Sequence, residues 1–206
     1  MVGTLLLLLV LLVVYRLVVH RPAWWVAAGD SSSLAQARGV ATENAVVREL
    51  TRVRGPESWG FVLGEEDVNA WLVNRLEPWS RSQGRQVLPE GIGDPRIRFA
   101  DGWIELGVMA EQGGAEILVL LRIDATLDPD RLRIDVSGGG DGLASVLTSA
   151  LIDAFASELE GVDESASGMG SILEPIVELT DGRRVIIEDF EIVPGELAVR
   201  FRTERP

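Results

Sequence analysis

An almost uninterrupted aliphatic run at the amino terminus constrains the fold more than any other feature of this 206-residue chain. Residues 2–19 are interrupted only by Gly3, Thr4 and the pair Tyr15-Arg16. As an α-helix rising about 1.5 Å per residue, the run would be roughly 27 Å long, close to the ~30 Å hydrocarbon core of a bilayer. The sequence therefore predicts a single transmembrane anchor, which with its flank occupies residues 1–27.

The flanks of the run favour a retained anchor. Arg16 could snorkel to the interface, and Trp24 and Trp25 follow a basic cluster in the manner of an interfacial aromatic belt. Two alternatives remain: a buried core helix, and a signal peptide cleaved near residues 26–28. Against the signal peptide, no charged side chain precedes Leu5.

The side of the membrane is a separate question. Counted alone, Arg16, Arg21 and Arg38 would keep the following domain in the cytoplasm by the positive-inside rule. That rule needs both flanks, and the charge-free start suggests that basic residues precede it. We therefore expect a single-pass protein of the cell membrane whose domain lies outside the cytoplasm.

Composition excludes several classes of chemistry. All 19 basic residues are arginine, cysteine is absent, and the one histidine, His20, flanks the predicted span. Lysine Schiff bases, thiol nucleophiles, histidine triads and Cys or His metal sites are thereby excluded from the domain. A net charge of −13 opposes binding to nucleic acid, which relies on cationic side chains. We predict no cofactor, no metal site and no catalytic residue.

The remaining chain predicts one α+β domain. Residues 28–58 form a linker and an amphipathic helix, whose apolar stripe we assign to Leu34, Ala37, Ala41, Val46, Leu50 and Val53; its simplest role is a packing element or stalk. The domain proper covers residues 59–206. It begins with a short strand, followed by a helix that carries acids in its first turn and Val68, Trp71, Leu72, Leu76 and Trp79 on one face.

From Pro95 onward the apolar period changes from 3.6 to 2, which indicates strands. Four consecutive antiparallel strands are predicted between residues 96 and 136, with residues 117–121 apolar on both faces and hence central. A final hairpin covers residues 185–203. The predicted architecture is one curved, mostly antiparallel sheet packed by helices.

Less regular segments lie between these strands. Residues 143–155 and 171–180 are predicted as helices, the first packing on the sheet. The glycine-rich residues 138–142 lack the spacing and the lysine of a phosphate loop, and Asp163-Glu164 lacks the spaced ligands of a calcium loop.

The passage from Trp59 to Leu72, in which Glu65, Glu66, Asn69 and Leu72 match best, resembles the YpmS-like membrane-anchored bacterial proteins of unknown function. The resemblance covers most of residues 59–136 in pattern. It implies an envelope domain with a curved sheet and helices, related to binders of apolar ligands, and no catalytic residue.

Three functional hypotheses follow. The first is a non-enzymatic, membrane-tethered domain that binds a lipid or another apolar envelope component, with Trp71, Trp79 and Phe190 as candidate ligand contacts. The second is a structural or assembly partner of an envelope protein. The third is a hydrolase that uses two carboxylates, for which the candidate acids are Glu65, Glu66, Glu188 and Asp189.

Overall fold

The protein is described by a computed structural model that covers residues 21–55, 57–84, 88–112, 114–128, 131–138, 170–179 and 181–204. The predicted anchor, residues 1–19, lies outside them. Within the described ranges, no helix combines the length and hydrophobicity needed to cross a bilayer.

The described elements form an α+β fold. In chain order they are α1 (Ala23–Ala28), α2 (Ser33–Thr51), β1 (Ser58–Gly64), α3 (Glu65–Asn74), α4 (Leu76–Ser82), β2 (Ile92–Phe99), β3 (Ile104–Gln112), β4 (Ala115–Asp128), β5 (Arg131–Gly138), β6 (Gly170–Leu173), β7 (Ile176–Glu178), β8 (Arg184–Val193) and β9 (Glu196–Glu204).

The strands form two antiparallel sheets, which corrects the prediction of a single curved sheet. One has the order β2-β3-β4-β5-β6, and the other has the order β1-β9-β8-β7. The four consecutive strands and the final hairpin are confirmed, as is the central position of β4. The period-2 pattern identified the strands, but it carries no information on which sheet each strand joins.

The predicted helix over residues 171–180 is wrong. This stretch forms β6, which pairs with β5, and β7, which pairs with β8. Pro175 lies between the two strands, where it interrupts any helical hydrogen-bond ladder, and the β-branched residues Ile176 and Val177 suit a strand. The predicted helix over residues 143–155 and the loops at residues 139–142 and 161–169 lie outside the described residues.

Among the described residues, two apolar clusters form the core. In the five-stranded sheet, Val108, Ala110, Val119 and Leu121 are almost fully buried on one face. The second cluster joins the two sheets: Ile97 and Phe99 of β2 pack with Ile192 of β8, and Val68 and Leu72 of α3 pack against them. In the four-stranded sheet, the Phe201 ring stacks on both Trp59 and Phe61, with ring centroids 4.8 and 5.3 Å away.

The predicted flank of the anchor contains the short helix α1, which lies against the other face of the five-stranded sheet. Trp25 is fully buried, and its ring occupies the space above Gly107 where a side chain would otherwise project. The guanidinium of Arg96 lies 4.3 Å from the Trp25 ring centroid and donates to the Trp25 carbonyl. Trp25 is therefore a core residue of the domain, not part of an interfacial belt.

Helix α2 does not bury the apolar stripe that the sequence suggested. Its buried residues are Ala35 and Gly39, while Leu34 and Val53 are 71% and 77% exposed. A Cβ atom on Gly39 would lie 2.6 Å from the Ala70 carbonyl oxygen, so α2 and α3 approach each other closely. Small residues, not large apolar ones, thus determine which face of α2 packs.

Helix α3 is fastened to the outer edge of the five-stranded sheet. The buried Asn69 donates through Nδ2 to the Ile97 carbonyl and accepts from the Ile97 N–H through Oδ1, both at 2.8 Å. Glu65 accepts from the Phe99 N–H at 2.7 Å. Since β2 is an edge strand, these side chains satisfy backbone groups that a neighbouring strand would otherwise bind.

Candidate functional site

A cavity of about 590 Å³ lies between the α3–α4 helical pair and the start of β2. We call it the sheet-end cavity. Apolar residues line it from both the helices and the strand side, and polar residues and glycines make up the rest of the lining. The apolar members are Leu72, Val73, Leu76, Leu88, Pro89, Ile92 and Pro95; the others are Glu77, Ser80, Arg81, Glu90, Gly91, Gly93 and Asp94.

A β-bulge shapes the strand side of the cavity. Gly93 pairs with Met109 and Arg96 with Gly107, so that Asp94 and Pro95 together oppose one residue of β3. Asp94 has a φ of 52°, in the left-handed region, where aspartate is tolerated better than most residues. Pro95 has no N–H to contribute to the ladder. The bulge turns the start of β2 and directs these two residues to the cavity.

The cavity has an apolar interior and a charged rim. Leu76 is buried and Leu72 and Ile92 are half-buried, whereas Glu77 and Arg81, one helical turn apart, form an exposed ion pair. Its volume falls within the ~300–1,000 Å³ typical of small-molecule sites. A ligand with an apolar body and a polar end would match this distribution.

The cavity lies at the end of the five-stranded sheet near which the described part of the chain begins. The guanidinium of Arg21, the first described residue, lies 3.2 Å from Glu116 of β4. Glu116 is in register with Glu111 of β3, whose N–H donates to the Gly91 carbonyl at 2.7 Å. Gly91 lines the cavity, so a chain of direct contacts connects the cavity to the start of the described chain.

The predicted ligand contacts lie at two places. Trp71 and Trp79 contact each other edge to face, with centroids 5.9 Å apart, while Phe190 packs in the cluster between the sheets. Phe190 also lines a shallow groove of about 580 Å³ on the four-stranded sheet. None of the four cavities described on the resolved surface is lined by either tryptophan.

Trp71 belongs to a polar contact between helices. Its Nε1 donates to Glu43 of α2 at 3.3 Å, and Arg75 donates to the same carboxylate through Nε at 2.9 Å. The Arg75 hydrogen bond holds the pKa of Glu43 below its ordinary value, and the nearby positive charge acts in the same direction. The Glu43 carboxylate therefore joins α2 to α3 at neutral pH.

The candidate acids are occupied by other partners. Glu65 and Glu66 line one cavity of about 400 Å³, but Glu65 binds the Phe99 N–H and Glu66 forms an ion pair with Arg38. Glu188 and Asp189 lie on the four-stranded sheet, where they pair with Arg202 and Arg200.

The described part of the chain contains no group of three or more His, Cys, Asp or Glu side chains placed so that they could bind a metal ion. The sheet-end cavity was not identified from sequence. Its one local signal is the Gly93-Asp94-Pro95 sequence at the start of a predicted strand, because glycine and proline within a strand mark bulges.

Comparison with known proteins found no similar sequence or structure: no family model matches the sequence, and no match was found among curated proteins or solved structures.

Proposed function

We propose that this protein is a membrane-anchored, non-enzymatic domain that binds a lipid or another apolar envelope component in the sheet-end cavity. The observation that carries the proposal is the combination of about 590 Å³ of space, an apolar base of Leu72, Leu76 and Ile92, and a charged rim. The predicted anchor would hold the cavity beside the bilayer, and the domain would face the extracytoplasmic side.

The energetics favour a ligand with a hydrocarbon chain. Each CH₂ group moved from water to an apolar site contributes about 0.8 kcal/mol. Eight such groups would contribute ~6 kcal/mol before the cost of association is subtracted, so micromolar affinity would require help from the rim. Glu77 and Arg81 supply opposite charges there, which suit a zwitterionic or hydrogen-bonding headgroup better than a strongly anionic one.

The test has two steps. Native mass spectrometry of the full chain, extracted in mild detergent, should find a co-purifying amphiphile. The same preparation is then titrated with a phosphocholine lipid that carries a fluorescent polyene chain, with Val73→Phe as the variant that narrows the cavity and Val177→Phe as the control. Val177 lies on β7, is 45% exposed and lines none of the described cavities.

We expect Val73→Phe to weaken probe binding about tenfold, because displacing two CH₂ groups costs ~1.6 kcal/mol. The control should bind like the parent chain, and matching urea midpoints would show that both variants are folded. Equal affinity for all three proteins would refute the cavity as the binding site. An assembly role would then be the better explanation of the fold.

A further inference from the structure

We infer that one end of the five-stranded sheet rests on the lipid headgroups of the membrane that holds the anchor, so that the sheet-end cavity opens at the bilayer surface. We call this end the anchor-end surface. Its described residues are Arg21, Glu90, Gly91, Glu111 and Glu116. The inference rests on the anchor and the cavity of the proposed function, and it names the bilayer itself as the partner of that site.

The folded domain begins almost directly after the predicted span. Trp25 is fully buried against the sheet, and its N–H donates to the Pro22 carbonyl at 3.0 Å. Arg21 lies against the same sheet through its contact with Glu116. A single residue, His20, therefore lies between the predicted span and the first residue that contacts the sheet.

This short connection limits how far the domain can stand from the bilayer. Consecutive Cα atoms are about 3.8 Å apart, so the Arg21 Cα would lie within ~8 Å of the end of the predicted span. The headgroup layer on each side of the ~30 Å hydrocarbon core is about 5–8 Å thick. Arg21 would thus lie in the headgroup layer or at its outer edge, and the strand ends beside it would lie there too.

The contacts of α3 place the cavity at this same end. Helix α3 runs antiparallel to β2, because Glu65 binds the Phe99 N–H and the later Asn69 binds the earlier Ile97. One turn further along, Leu72 lines the cavity together with the start of β2, which belongs to the anchor-end surface. An amphiphile would therefore pass between the bilayer and the cavity with little exposure to water.

The charges of the anchor-end surface select the kind of headgroup. Glu90, Glu111 and Glu116 are exposed acids, while Arg21 supplies one positive charge. Like charges repel within the Debye length of about 8 Å at physiological salt, which is the distance that the connection allows. The surface therefore fits a zwitterionic layer, such as phosphatidylcholine or phosphatidylethanolamine, better than an anionic one.

The test uses the absence of cysteine from the chain. Single cysteines are introduced by Glu90→Cys and Glu111→Cys and labelled with bimane, and the full chain is reconstituted in phosphatidylcholine vesicles. A phosphatidylcholine with a nitroxide on its headgroup then quenches any label that contacts the headgroup layer. The control is Asp101→Cys, which is exposed and precedes β3 at the opposite end of the sheet, roughly 23 Å away at about 3.3 Å per strand residue.

We expect the nitroxide lipid to quench both anchor-end labels and to leave the Asp101 label as bright as in vesicles without nitroxide. Replacing half of the phosphatidylcholine by phosphatidylglycerol should reduce the quenching. Inserting about ten Gly and Ser residues between His20 and Arg21 adds about 17 Å of reach and should remove it. The labelled chains should keep the urea midpoint of the parent, which shows that they are folded.

Equal quenching at both ends of the sheet would overturn the inference, as would no quenching at either end in chains that resist carbonate extraction. Quenching unchanged by the insertion would overturn the short connection as its cause, and stronger quenching with phosphatidylglycerol would overturn the zwitterionic assignment. A chain that carbonate releases would refute the anchor and the inference together. Unchanged lipid affinity of Val73→Phe, with the quenching intact, would refute only the cavity as the binding site.

Discussion

Replacing Asn69 should destabilise the fold far more than replacing the other asparagine of the same helix. Asn69 is 3% exposed and makes both of its hydrogen bonds to the backbone of Ile97, itself 9% exposed. Asn69→Ala leaves the Ile97 N–H and carbonyl without partners. At about 1–3 kcal/mol for each unsatisfied buried group, and with some access of water at the sheet edge, the expected loss is ~2–4 kcal/mol.

The matched control is Asn74→Ala. Asn74 lies in a half-buried position and donates to the Ala70 carbonyl of its own helix at 2.9 Å and, through a longer and exposed contact of 3.4 Å, to the Asp30 carbonyl. Water can replace both contacts, so the expected loss is below ~1 kcal/mol. Urea unfolding of the full chain in mild detergent, followed by tryptophan fluorescence, measures both. With a slope of ~2 kcal/mol per molar urea, Asn69→Ala should lower the midpoint by about 1–2 M.

A third variant separates the two hydrogen bonds. In Asn69→Asp the carboxylate can accept from the Ile97 N–H, but it faces the Ile97 carbonyl unless it is protonated. Burial and that carbonyl would raise the pKa of the new carboxyl in the folded state above its ordinary ~3.9. The destabilisation should therefore be greatest at neutral pH and shrink as the pH falls through the raised pKa. A midpoint shift for Asn69→Ala no larger than that of Asn74→Ala would refute this account of the helix–sheet contact.

Two further predictions use the same assay. Gly39→Ala should lower the urea midpoint, although alanine favours a helix by ~1 kcal/mol over glycine, because the new Cβ would lie 2.6 Å from the Ala70 carbonyl oxygen. The control Gly55→Ala should leave the midpoint unlowered, because no atom lies within 4 Å of its Cβ. Glu43→Gln should make the free energy of unfolding less dependent on pH in the acid range. Because the pKa of Glu43 is lowered in the folded state, the contact of Glu43 with Arg75 stabilises the fold fully above the ordinary carboxyl pKa. That stabilisation is lost as the pH falls through the lowered pKa. Identical stability curves at acid pH for Glu43→Gln and the parent chain would contradict this assignment.

Sequence periodicity identified the strands of this fold better than its helical contacts. Residues 96–108 and 131–136 alternate and residues 117–121 are apolar on both faces, and these patterns predicted the four-strand meander with its order. The packed face of α2 was missed because it is defined by Ala35 and Gly39, whose contribution is the absence of bulk. A hydrophobic pattern scores large apolar residues, whereas close helix contacts depend on small ones.

The role of Trp25 was missed for a related reason. A tryptophan after an apolar run is typical of a membrane interface, and sequence alone does not reveal that Gly107, more than 80 residues later, leaves room for its ring. The sheet-end cavity depends on the same kind of distant pairing, since its bulge exists only in the register of β2 with β3. The local sequence can identify Gly93 and Pro95 as bulge residues, but it does not reveal the cavity that the bulge helps to form.

Two of the residues that match the YpmS-like pattern attach a helix to the sheet, and their match therefore says little about a ligand. Glu65 and Asn69 both bind the backbone of β2, and neither lines the sheet-end cavity. A motif whose side chains attach a helix to a sheet edge specifies how the domain is assembled, and chains with different ligands can share it. In the proposed function, the choice of ligand would instead depend on lining residues outside these contacts, such as Val73 and Ile92, where a change of one side chain alters the available volume without removing a contact that attaches α3.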